Sequence, residues 1–157
     1  MYMKAIKLEK NDKMEYLDLY DENKELTGEK ILREKGKPSV PEGRFINIVI
    51  IFMQNSFGKF LFQKTSKEKG NELATTGGHV KSGQNCNEAI VSEVFEELGI
   101  DISNDNFELV DTMKFGIAFQ DVYYLKKDID IKNLTLQSEE VEEVMWLSVD
   151  EVKKFIS

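Results

Sequence analysis

One segment of this chain is written for a helix, and it constrains the rest. Asn85 followed three residues later by Glu88 has the spacing of a reciprocal N-terminal cap, and Gly99 suits the left-handed position beyond a helix end. Between them, at about 100° per residue, Ile90, Val91, Val94 and Leu98 share one face while Glu93, Glu96 and Glu97 gather on the other. A helix with a single apolar stripe must bury it against another layer, and the segments on either side of it are strand-like. The expected fold class is an α/β or α+β sandwich, a mixed β-sheet flanked by helices.

Phe45 to Met53 is rich in Ile and Val. The turn Gln54–Gly58 and the segment Lys59–Gln63 follow it, which predicts a buried hairpin. Upstream, Met14–Tyr20 mixes apolar and acidic residues and predicts a strand, ended by the turn-rich Asp21–Lys24. Leu26–Arg44 carries Gly28, Gly36, Gly43, Pro38 and Pro41 and predicts a loosely structured connection. Residues 1–44 therefore read as an N-terminal extension and 45–157 as the core of a single domain. Beyond the helix, strands are predicted near Phe107–Lys114 and Asp121–Lys126. A long acidic connection, a short strand Val144–Leu147 and a terminal helix Val149–Ile156 complete the chain.

Charge narrows the function classes. With 21 Lys+Arg against 29 Asp+Glu the net charge is -8, so a nucleic acid would meet a like-charged surface and is not an expected partner. The run Phe45–Met53 falls far short of the about 20 apolar residues that a membrane span needs. The first ten residues meet charges at once, unlike a secretory signal. Cys86, the only cysteine, cannot close an internal disulfide, and the expected setting is the cytoplasm. Strands of the extension could pair between two copies, so a homodimer is one expected assembly.

The acidic helix face carries the chemistry. Like charges three and four residues apart on a helix each cost roughly 0.2–0.5 kcal/mol, and no lysine or arginine occurs from Gln84 to Ile100 to relieve them. Positive charge must come from elsewhere. Ahead of the helix, Gly77, Gly78 and Gly83 form a glycine-rich turn whose backbone a phosphate or a metal can approach closely.

From Gly78 to Ile100 the chain resembles the Nudix box, G-x5-E-x7-R-E-U-x-E-E-x-G-U, where U is a bulky aliphatic residue. Gly78, Glu93, Val94, Glu96, Glu97, Gly99 and Ile100 match. Gln84 stands where the pattern has its first glutamate, and Ser92 where it has an arginine that helps orient the glutamates after it. The likeness extends to the hairpin before the box, to Gln63–Ser66 and to Val144–Ser148. With Leu17–Asn23 included, the chain is similar to the Nudix branch related to isopentenyl-diphosphate isomerase.

The resemblance implies a Nudix fold and metal-dependent hydrolysis of a diphosphate linkage, in a nucleoside diphosphate derivative or a related small molecule, with Mg²⁺ or Mn²⁺ as cofactor. It implies Glu93 and Glu97 as metal ligands, Glu97 at an exposed position, with Glu96 and the Gly78 carbonyl contributing. Glu93 is the first candidate for the general base or for orienting the attacking water, and Glu140, in the acidic run Glu139–Glu143, is the distant one. Gly77 and Gly78 are candidate substrate contacts. Arg33 and Arg44 are the only arginines and suit bidentate phosphate binding. Lys64, Lys67 and Lys69 could screen phosphate charge, and Arg44 and Lys64 are the candidates kept for substrate binding. His79, the sole histidine, is expected to serve the turn, and Trp146 and Phe119 to belong to the core.

Two other functions compete. Gln84 and Ser92 favour a Nudix-fold protein that binds a ligand but has lost turnover. An isomerase, the remote alternative, would use a cysteine just ahead of the glycine turn, where this chain has Ala74, Thr75 and Thr76; Cys86 reads instead as a small, partly buried residue.

Overall fold

The computed structural model describes residues 15–34 and 38–156; the N-terminal stretch read for a secretory signal, Met14 and Gly36 lie outside them. A long strand, β3 (Ile46–Gln54), runs through the centre and alternates between buried and half-buried side chains. Preceding it, β1 (Tyr16–Tyr20) and β2 (Leu26–Leu32) form a separate antiparallel pair. After it come β4 (Phe60–Thr65), β5 (Leu73–Ala74), β6 (Thr76–His79) and the helix α1 (Cys86–Leu98). The chain continues through β7 (Glu108–Phe115), β8 (Ala118–Lys126), β9 (Val141–Leu147) and the terminal helix α2 (Val149–Ile156). Among the described residues the architecture is α+β, a mixed sheet with two helices, in agreement with the sequence.

The apolar character of β3 follows from its neighbours. It pairs in parallel with β8 over its whole length, from Ile46 opposite Ala118 to Gln54 opposite Lys126, and parallel strands need cover on both faces. β7 pairs antiparallel with β8 through a tight turn at Gly116.

The predicted hairpin of β3 and β4 is corrected. The two strands pair only at its base, Gln54 opposite Phe60, and then diverge. Leu73–His79 enters the fork between them: β5 pairs with β4, and β6 pairs with β3 from Ile48–His79 to Ile51–Thr76. Glycine makes this possible, because a Cβ at Gly77 would lie 2.2 Å from the Val49 carbonyl oxygen. β4 then finds its long partner in β9. That strand begins at Val141, so part of the acidic run read as connection is strand, with Glu143 opposite Lys64.

The polar connection after Lys24 is also corrected, since Leu26–Leu32 is a regular strand. Most of its side chains are exposed, so it is held by pairing with β1 rather than by burial, and it leaves no hydrophobic alternation to read. β1 does bury residues: Leu17 and Leu19 form a second small core with Ile46 and Ala118.

The main core lies between α1 and the sheet. Ala89, Ile90, Val94 and Leu98 pack on Val49, Ile51 and Met53 of β3 and on Tyr123 and Leu125 of β8. Each of the Ile, Val, Leu and Met side chains among them contributes roughly 1.5–3 kcal/mol on full burial. The helix starts at a complete capping box: Asn85 Oδ1 accepts from the Glu88 N–H at 2.8 Å, and Glu88 Oε1 from the Asn85 N–H at 2.9 Å. It stops at Gly99, in the left-handed region at φ 75°. Among the described residues no helix is long and apolar enough to cross a membrane.

Candidate active site

The fork in the sheet and the acidic side of α1 meet at Gly78. A Cβ there would lie 2.5 Å from the Glu93 carboxyl carbon, so any larger residue would push this carboxylate aside. One turn along, Glu97 is 5% exposed and is not the exposed residue the sequence suggested. Its Oε1 accepts a hydrogen bond from Gln63 Nε2 at 2.8 Å, and Gln63 Oε1 accepts in turn from the Thr76 hydroxyl at 3.0 Å. One support sits on β4 at the side of the fork and the other on β6 within it. The route that separates β4 from β3 therefore also fixes Glu97.

The electrostatics of this pair are unfavourable as they stand. Burial pushes the Glu93 pKa well above the usual carboxylate range, the charges on Glu97 and Glu96 push it further, and Lys81 offsets only part. Glu97 is raised too, chiefly by burial, against hydrogen bonds from Gln63 and Glu93. Two buried carboxyls in contact share a proton at neutral pH unless a cation takes its place.

Around the pair lies a polar cavity of about 570 Å³ whose walls also include Glu15, Arg33, Gly77, His79, Lys81, Glu96, Gln137 and Glu140. Glu140 is brought there by a segment stitched to the end of α1, where Thr135 N–H donates to the Leu98 carbonyl and Gln137 N–H to that of Glu97. Glu140 also lies 3.5 Å from Lys69. Burial, then the Arg33 charge, lowers the His79 pKa to about 4, so its imidazole is neutral at pH 7 and can both donate and accept.

The sequence-derived candidates divide. Gly77, Gly78, Glu93, Glu96, Glu97 and Glu140 share the cavity, and of the two arginines it is Arg33 that reaches it. Arg44 and Lys64 do not line it: Arg44 pairs with Glu29, and Lys64 lies 3.0 Å from Glu142 across the β4–β9 ladder. Trp146 lines a different cleft with Phe57 and Asp128. Phe119 is buried against Phe45. Sequence reading missed Glu15, Lys81, Gln137 and Gln63. Lys81 carried a signal, being a cation inside the glycine turn, whereas nothing local marks Glu15.

The donor set suits a small hard cation. Among the described residues no three His, Cys, Asp or Glu side chains already close around one point. Mg²⁺ tolerates that, because it keeps several waters and takes one or two carboxylates together with substrate oxygens. Glu93 and Glu97, buried, adjacent and short of positive charge, fit this role, with Glu96, Glu140 and the Gly78 carbonyl within the same cavity.

Comparison with known proteins bears on the family and the fold. Two uncharacterized Nudix hydrolases, of Listeria innocua and Listeria monocytogenes, are each 32% identical over 145 residues, covering 89% of this chain and 83% of the relative. The crystal structure of DR0079 from Deinococcus radiodurans superposes with a TM-score of 0.75 at 26% identity, covering 90% of this chain and 88% of that one. The NUDIX domain model matches residues 44–156, from just before β3 to the end of α2, and the chain belongs to the Nudix family of pyrophosphate-bond hydrolases.

Proposed function

We propose that this protein is a divalent-metal-dependent hydrolase of a diphosphate linkage in a nucleoside diphosphate derivative or a related small molecule. The observation that carries the proposal is the buried Glu93–Glu97 pair, held by Gln63 and Gly78 and short of positive charge. A protein that needed only a stable fold would gain by replacing either residue with an uncharged one.

Glu93 and Glu97 would hold Mg²⁺ or Mn²⁺, assisted by Glu96, Glu140 and the Gly78 carbonyl. When bound, the cation neutralises charge on the phosphate oxygens and makes a bound water more acidic. The remaining steps fall to the chain. Gly77 and Gly78 present bare backbone to the cavity, and Arg33 brings positive charge to its wall. Neutral His79 offers a hydrogen bond to a phosphate oxygen. Gln63 and Thr76 keep Glu97 from swinging away. Glu93, beside Gly78 in the cavity wall, is the candidate to take the proton from the water that attacks phosphorus.

One observation favours a second reading, a ligand-binding protein with weak turnover. The Gln84 side chain is turned back on its own loop, where Oε1 accepts from the Lys81 N–H at 3.0 Å, so it adds no oxygen to the carboxylate group. Isomerisation has less support. Cys86 lies beside Asp121 rather than in the cavity wall, and burial followed by the Asp121 contact pushes its thiol pKa up to about 12.

The test is a screen of purified protein with Mg²⁺ or Mn²⁺ against nucleoside di- and triphosphates, dinucleotides and nucleotide sugars. Metal-dependent release of phosphorylated products is expected. Tight ligand binding with no product from any of them would favour the second reading.

A further inference from the structure

We infer that Lys81, braced by the N-terminal hairpin, does the work of the arginine that position 92 lacks: it holds Glu96 and, with it, the arrangement of the carboxylates on α1. The inference deepens the hydrolytic reading and names a positioning residue for that site.

The two departures from the box converge on one place. Ser92 donates its hydroxyl to Glu96 Oε1 at 3.2 Å, and Lys81 Nζ lies 3.7 Å from that same oxygen. Gln84, the other departure, accepts the Lys81 backbone N–H. A short hydroxyl at 92 thus leaves one side of Glu96 open, and the cation reaches it from the glycine turn instead of from within the helix. An arginine at 92 would approach the same carboxylate from one helical turn away.

A lysine on a glycine-rich turn would position nothing if the turn were loose. Here β1 fixes it. The Ser82 N–H donates to the Tyr16 carbonyl at 2.8 Å, the Ser82 hydroxyl to Asp18 Oδ1 at 2.7 Å and the Gly83 N–H to Asp18 Oδ2 at 3.1 Å. The ammonium itself is placed by Glu15, whose two oxygens are divided: Oε1 accepts from Arg33 Nη1 at 2.8 Å, and Oε2 lies 3.8 Å from Lys81 Nζ. A partly exposed ion pair adds little to stability. The value of this one lies in geometry and in the sign of the charge beside the metal ligands.

The experiment uses the full chain and four variants, Lys81→Met, Ser92→Arg, the double variant and Lys127→Met, the last as a control since Lys127 pairs with Asp105 away from the cavity. Steady-state kinetics and Mn²⁺ binding isotherms are read together. Lys81→Met is expected to lower kcat by about 10- to 100-fold, the range typical of residues that orient metal ligands, with KM little changed. The same variant should bind Mn²⁺ more tightly, because a fixed positive charge next to the carboxylates has gone. A merely structural lesion would weaken both. Ser92→Arg should restore kcat and Mn²⁺ affinity toward parental values in the double variant, a coupling that independent sites do not show. A raised KM at unchanged kcat, or no recovery in the double variant, would overturn the inference. If the parent cleaves no substrate, the hydrolytic reading falls, yet the isotherms still decide: tighter Mn²⁺ binding in Lys81→Met that Ser92→Arg reverses upholds the role of Lys81, and unchanged isotherms reject it.

Discussion

Two carboxylate sites in this protein are buried to a similar depth and treated in opposite ways. Asp121 on β8 is 1% exposed, and Glu97 on α1 is 5% exposed. Burial pushes Asp121 up, but hydrogen bonds from Cys86, Thr112, Lys24 and Asn47 outweigh it and hold the pKa below the usual range. The Lys24 ammonium touches it at 3.0 Å and the Thr112 hydroxyl at 2.7 Å. Among the described residues, Glu97 and its neighbour Glu93 receive no comparable cation, only Lys81 at the edge of the group, and both are pushed up. A carboxylate kept for the fold is neutralised by the fold. The other pair is left wanting, and what it lacks is what a divalent metal supplies.

The contrast can be broken most sharply at Glu93. Glu93→Gln should lower metal-dependent hydrolysis by about 10²- to 10⁴-fold, the usual worth of a positioned base, while raising the melting temperature of the metal-free protein by removing one of two competing charges. Parental turnover in this variant, on a substrate the parent cleaves, would place the chemistry elsewhere. Asp121→Ala should do the reverse. It strands Lys24 and Asn47, and chemical denaturation should show a loss of about 3 kcal/mol, with kcat preserved for the fraction that folds.

Metal and pH sharpen the same difference. Mg²⁺ at a hundred times its Kd should stabilise the fold by about 2.7 kcal/mol, an effect that Glu93→Gln reduces and that Thr112→Val leaves alone. Because folding raises the Glu93 and Glu97 pKa values, the metal-free native state holds more protons than the unfolded one. That contribution is full below the ordinary carboxylate range and is lost as pH climbs toward the raised values. His79 works in the opposite sense between about 4 and 6.5, since its pKa is lowered on folding. Above pH 6.5 the melting temperature in chelator should therefore fall, and saturating Mg²⁺ should flatten the slope; equal slopes with and without metal would refute the pairing. The smallest effect is expected at Thr112→Val, which removes one donor to Asp121 and should cost about 1.5 kcal/mol in denaturant melts.

Much of this was legible in the order of residues, for reasons that separate local from distant signals. α1 announced itself because its caps and its apolar stripe all lie within fifteen residues, where periodicity is informative. The glutamates and Gly78 were found through the same stretch. The divergence of β3 from β4 was hidden, because each strand looks like half of a hairpin and only the placement of Gly77 against Val49 shows what separates them. β2 was hidden because pairing, not burial, holds it. The burial of Glu97 could not be read from a helical wheel, since Gln63, which covers it, is 34 residues away. Glu15 lies further still from Lys81.

The N-terminal hairpin carries a practical consequence for anyone who cuts this chain. A fragment begun at residue 44, where the match to the NUDIX domain model starts, would keep every glutamate of the box. It would also uncover Ile46 and Ala118 where Leu17 and Leu19 had sheltered them, and leave Asp121 without Lys24. Such a fragment is expected to clump during expression and to resist refolding, although it holds every residue that the domain model matches. The shortest stretch that can be recognised is shorter than the shortest that can stand alone in water.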